Sequence, residues 1–162
     1  MSLPMSRRRW LAWAGSLAGA TLAPGLAMAA RQPLIEVWKS ESCGCCGAWV
    51  EHLQAHGFQV KVNHVRGPAE YREKLGMPDE FGSCHTALVQ GYVLEGHVPA
   101  REIRRLLAER PAAIGLAVPG MPVGSPGMEV GERRDAYDVI LVGRDRKGRV
   151  YQHYPALPGT RP

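Results

Sequence analysis

Three of the chain's four cysteines fall within four positions of one stretch, SESCGCCGAWVEHL (residues 40–53). Cys43 and Cys46 are spaced Cys-x-x-Cys, and Cys45 stands directly before the second of them. A thiolate is both a nucleophile and a soft metal ligand, so these residues suit either disulfide exchange or metal capture. The helical pattern that follows would put all three at a helix N-terminus, where unpaired N–H groups and the helix dipole favour negative charge. Gly44 and Gly47 let the loop curl and let a large ion or a partner backbone approach. The fourth cysteine, Cys84, stands in GSCHTALV, 38 residues after Cys46.

Two structural disulfides are one reading of four cysteines. Three cysteines so close together make poor staples, because short bridged loops give little entropy and strained geometry. A Cys₄ or Cys₃His zinc site lacks its usual paired spacing here. Copper fits the chemistry better. Cu(I) prefers thiolate and thioether ligands, Cu(II) accepts imidazole, and clustered thiolates can bridge several ions. Met121 and Met128 occupy equivalent places in a short repeat, PGMPVG (119–124) and PGMEVG (126–131). Methionine in a Gly- and Pro-rich loop is hard to explain as core packing, which makes both candidate ligands. Met77, beside a helix end and Pro78, reads as packing. His85, next to Cys84, is the best candidate imidazole, and His153 in VYQHY is second. His52, His56, His64 and His97 read as exposed or hydrogen-bonded.

The elements that must position these residues follow from the apolar pattern. PLIEVWKS (33–40) is a predicted strand and GAWVEHLQAHG (47–57) a short helix stopped by Gly57. FQVKVNHV (58–65) is a second strand, with Phe58, Val60 and Val62 on one face. PAEYREKLG (68–76) is a helix opened by Pro68. TALVQGYVLEGHV (86–98) reads as two strands around Gln90–Gly91. PAREIRRLLAER (99–110) is an amphipathic helix with Ile103, Leu106 and Leu107 inward. The order β-α-β-α-β-β-α, with Cys-x-x-Cys at the first strand-to-helix turn, resembles a thioredoxin-like fold. That resemblance implies that Cys84 faces the other three thiols, with His85 where such folds carry a cis-proline. Beyond Pro111 the composition turns to Gly, Pro and Val and fits no helix. AYDVILVGRDRKGRVYQHY (136–154) then reads as a hairpin turning near Asp145–Gly148.

Residues 1–29 read as an export signal: a basic start, a Gly- and Ala-rich apolar run, and Ala27-Met28-Ala29 as the cleavage site. SRRRWL (6–11) resembles a twin-arginine signal. No other apolar run is long enough to span a membrane, so no stable membrane insertion is expected. The formal net charge is +5, but setting aside Arg7, Arg8 and Arg9 leaves 17 basic against 15 acidic residues. So near-neutral a mature chain gives no case for nucleic acid as a partner. With 45% hydrophobic and 22% charged residues it is globular, and 162 residues give room for one modest core.

The Cys-x-Cys-Cys run, SCHTALVQGYVLEGHVPA, GLAVPGMPVGSPGME and the final hairpin together resemble the periplasmic copper-resistance proteins called CopG, over residues 33 to 155. The resemblance implies a thioredoxin-like domain over residues 30–110 and an extension over 111–162 that contributes to metal binding. It also implies a multinuclear copper site bridged by cysteine sulfur, interconverting Cu(I) and Cu(II) in support of copper export. Carried over, the thiol set is Cys43, Cys45, Cys46 and Cys84. Met121, Met128 and His85 are expected to complete it, and Cys43 with Cys46 is the expected redox pair. The expected protein is a periplasmic monomer whose partners are copper ions and a copper export system. The rivals are a metal-free thiol–disulfide oxidoreductase and a copper chaperone without redox chemistry.

Overall fold

The computed structural model describes residues 33–157, so the export-signal reading of residues 1–29 lies outside the described residues. Along the chain run β1 (Leu34–Lys39), α1 (Gly44–Ala55), β2 (Gln59–His64), α2 (Ala69–Lys74), a 3₁₀ turn (Asp79–Phe81), β3 (His85–Val89), β4 (Tyr92–Glu95), α3 (Ala100–Glu109), β5 (Ala113–Ala117), β6 (Tyr137–Gly143) and β7 (Gly148–Tyr154). The seven strands form one mixed sheet in the order β2-β1-β3-β4-β5-β6-β7. β1 runs parallel to β2 and β4 to β5, and the other neighbours are antiparallel.

Alternation along the strands divides two apolar clusters between the faces of this sheet. Leu94, Leu116 and Leu141 join the larger cluster with Trp49, Val50 and Leu53 of α1 and Ile103 and Leu106 of α3. Their chain neighbours Val93, Ala117 and Val142 face the other way, against Met77, Leu75 and Phe81. Met77 is thus packing, as its position suggests. In β1 the inward residues are Ile35, Val37 and Lys39. The outward ones do surface work: Glu36 accepts from Lys61 and Asn63, and Trp38 stacks on Tyr71. α3 ends where Arg110 turns left-handed and Pro111 follows.

Two features differ from the sequence reading. α1 starts at Gly44, three residues before the predicted start, so Cys45 and Cys46 lie in its first turn. Cys46 then shares the inward stripe of Trp49, Val50 and Leu53 at helical spacing. The second feature is β5, which alternation in AIGLA does not signal because the strand is covered on both faces and reads as a continuous apolar run. β5 joins the β6–β7 hairpin to β4, so the segment after Pro111 continues the same sheet.

β5 has one tight point. A Cβ on Gly115 would lie 1.7 Å from the Val93 carbonyl oxygen, beside the register shift between β5 and β6. A rigid backbone atom cannot yield as a flexible side chain would. We expect Gly115→Ala to lose about 3 kcal/mol in urea unfolding. Gly44→Ala, with open space around its Cβ, is expected to change stability by less than about 0.5 kcal/mol.

Candidate metal centre

The site forms where α1 begins, where β3 begins and where β4 ends. Cys43 is the extended N-cap residue of α1, and the Gly47 N–H donates to its carbonyl. Cys43 and Cys46 are joined in a disulfide, while Cys45 and Cys84 are free thiols. Cys45 Sγ lies 3.5 Å from Cys43 Sγ and 4.0 Å from Cys84 Sγ. Cys46 Sγ is 3.5 Å from the Cys84 carbonyl oxygen. All four sulfurs lie within 4.8 Å of one another.

Cys84 also belongs to a second group of three donors, with His85 and His97, on the same 4.8 Å scale. His97 Nδ1 lies 2.8 Å from the Pro126 carbonyl. A carbonyl only accepts, so Nδ1 carries the hydrogen and Nε2 keeps the lone pair. That lone pair faces Cys84 Sγ at 3.2 Å. His85 Nδ1 stands 3.4 Å from the same sulfur, and its ring packs on Trp49 and edge-on to His97. Its Nε2 is buried without a hydrogen-bond partner among the described residues.

Burial governs the electrostatics. It pushes the Cys84 thiol up to about 12, with the charge of Cys45 adding to the effect. Burial also takes the His85 imidazole down to about 3, helped by His97, and lowers His97 itself. Both rings are therefore neutral at neutral pH and keep a lone pair. With the Cys43–Cys46 disulfide reduced, four soft sulfurs and two neutral imidazoles form a donor set that suits a thiophilic ion of the Cu(I)/Cu(II) type. A bound cation would offset the cost that keeps the Cys84 proton in place.

The loop bearing Cys84 hangs on one buried carboxylate. Glu95, fully buried at the end of β4, accepts from the Ser83 backbone N–H at 2.7 Å, Thr86 Oγ1 at 2.6 Å and Arg72 Nη1 at 3.0 Å. Burial holds its carboxyl above the ordinary value, and these three donors offset only part of that rise. Arg72 also binds Asp79. Ser83 Oγ donates to the Gly120 carbonyl in a short hydrogen bond, which fixes the start of the Gly- and Pro-rich loop.

That loop returns at Gly127. Its φ is +83°, and a Cβ there would lie 2.6 Å from the Trp49 nitrogen and 2.7 Å from the Cys45 carbonyl. Gly120, its counterpart in the repeat, has open space instead. The repeat is therefore one of sequence and not of environment. Met121 is exposed and Met128 half-buried.

His153, the second-choice imidazole, is exposed and paired with Asp138 at 2.6 Å. His52 Nε2 accepts the Ala100 N–H, and His64 is exposed. His97 is the residue the sequence reading passed over. A signal for it existed. A two-residue turn at Gln90–Gly91 pairs Thr86 with Glu95, and the same register sets Cys84 opposite His97. Both turn residues have positive φ, 47° and 85°, as a type I′ hairpin requires.

A thiol and imidazole cluster at a strand-to-helix turn of a mixed α/β sheet defines a candidate soft-metal protein. The comparisons agree. A family model described as "Protein of unknown function, DUF411" matches residues 81–128. Two solved structures, "Copper resistance protein copG- Form 2" and "Copper resistance protein copG- Form 1", are each 46% identical to the chain. Each similarity covers 76% of this chain and 99% of the other, with TM-scores of 0.71 and 0.72. The chain belongs to the CopG family of copper resistance proteins. No curated protein matches it.

Removing Arg72 would leave Glu95 buried without its cation. We expect Arg72→Ala to cost about 3 kcal/mol in equilibrium urea unfolding. A smaller loss with Arg72→Lys would show that charge, more than the guanidinium fork, holds the loop.

Proposed function

We propose that this chain is a periplasmic copper-binding protein that holds several copper ions bridged by cysteine sulfur and interconverts Cu(I) and Cu(II) in copper resistance. The observation that carries the reading is the convergence of Cys43, Cys45, Cys46 and Cys84 within 4.8 Å. These residues would hold the copper, with His85 and His97 at Cys84 and with Met121 and Met128 from the loop. Family membership supports the copper role. Thiolate sulfur stabilises Cu(I) and imidazole tolerates Cu(II), so a mixed donor set allows both states.

The strand order supports the domain reading within this proposal. The strand order β2-β1-β3-β4, with β2 parallel and β3 antiparallel to β1, favours a thioredoxin-like domain over residues 30–110. Residues 111–162 would be its extension, covering the site through Gly127. Residues 1–29 would direct export, and a copper export system would be the partner of a monomeric protein. Among the described residues no helix is long and apolar enough to cross a membrane.

The Cys43–Cys46 disulfide favours a second reading, metal-free thiol–disulfide exchange. It predicts disulfide reduction without metal and tolerance of Cys45→Ser. The copper reading predicts the opposite. Protein purified anaerobically from the periplasm should carry more than one copper per chain by elemental analysis, and Cys84→Ser should lose part of that load. A full load in Cys84→Ser would overturn the convergent site. His97→Ala, which frees one side of the Cys84 thiol, is expected to weaken copper retention about 10–100-fold against a competing chelator.

A further inference from the structure

Cys45 and Cys84 are the two thiols that the Cys43–Cys46 disulfide leaves free. They come from different elements, Cys45 from the first turn of α1 and Cys84 from the residue before β3. Their sulfurs are 4.0 Å apart, against a bond length of about 2.05 Å. The remaining gap of roughly 2 Å is within reach of side-chain rotation at two half-buried residues. Cys46, by contrast, is fully buried and already bonded.

We propose that Cys45 and Cys84 form a second, reversible redox pair, so that one chain stores four electrons and loses its thiolate donors when both bridges are closed. The electron acceptor is Cu(II), and to that extent the inference rests on the copper reading. In the step, the Cys45–Cys84 S–S bond forms and two S–H bonds break. Two protons leave to solvent, and two Cu(II) ions each take one electron to become Cu(I). The same exchange at Cys43 and Cys46 uses two more Cu(II) ions. With both disulfides formed, no thiolate remains to bridge metal; only the imidazole and thioether donors are left, and reduction restores the bridging sulfurs. The second bridge also ties the start of α1 to the start of β3.

The pairing is tested first without metal. Chelator-treated, fully reduced protein is titrated anaerobically with diamide, and remaining thiols are trapped with iodoacetamide. Free thiols are expected to fall from four to none, with a link between the tryptic segments bearing Cys45 and Cys84. A Cys43→Ser, Cys46→Ser double variant leaves only this pair and should lose both thiols to an intramolecular link. In the copper arm, excess Cu(II) is added to the reduced protein and Cu(I) is read with bathocuproine. Native protein should yield four Cu(I) per chain and the double variant two. Native protein that stops at two, with Cys45 and Cys84 still alkylated, overturns the proposal. Diamide linkage in a protein that retains no copper would sink the copper reading and leave the second pair standing.

Discussion

The buried Glu95 carboxylate at the end of β4 accepts from the Ser83 backbone, from buried Thr86 and from half-buried Arg72. Its three donors sit on the residue before Cys84, on the strand after it, and on α2. A buried carboxylate is costly unless its oxygens are matched, so these partners are held to their places. The Cys84 thiol is fixed in turn, and so is its approach to Cys45. The neighbouring backbone of Glu95 takes the Val118 N–H, which starts the return of the loop that covers α1.

The sulfur cluster is built from contrasting surroundings. Cys46 points into the core with Trp49 and Leu53, where it is shielded. Cys43 caps the helix, and Cys45 looks across to Cys84. Consecutive residues on a helix point about 100° apart, so Cys45 and Cys46 cannot share one face. That divergence lets one loop offer a buried sulfur, bonded to Cys43, and a half-buried free thiol. His85 and His97 fill the space behind Cys84 with neutral rings whose basicity is suppressed by burial. The centre therefore combines soft sulfur with imidazole nitrogen and, among the described residues, shows no carboxylate in its donor groups.

Much of this was legible in the residues. The strands around β1, β2 and the final hairpin, the amphipathic α3 and the turn at Gln90–Gly91 followed from periodicity and turn chemistry. β5 did not, because a strand covered on both faces loses its alternation. The helix start moved by one turn because Gly44-Cys45-Cys46 carries no strong N-cap signal; the structure uses Cys43 without a side-chain cap bond. His97 was hidden by its neighbours. It fell inside the predicted strand pair of 86–98 but read as exposed or hydrogen-bonded, until the β3–β4 register set it opposite Cys84.

The sequence by itself determined the chemistry: thiols in a Cys-x-Cys-Cys run at a strand-to-helix turn, a fourth thiol beside a histidine, and a methionine-bearing loop. Residue type decides what a group can bind, and spacing within a few residues decides which groups share a turn. Only the tertiary structure decided which distant groups meet. Cys84 reaches Cys45 because β3 lies next to β1 in the sheet, and His97 reaches Cys84 because of the β3–β4 register. Gly127 and not Gly120 touches α1, although their local sequences match. These are facts of sheet order and packing, fixed by burial of apolar faces across the whole chain, and no local pattern carries them.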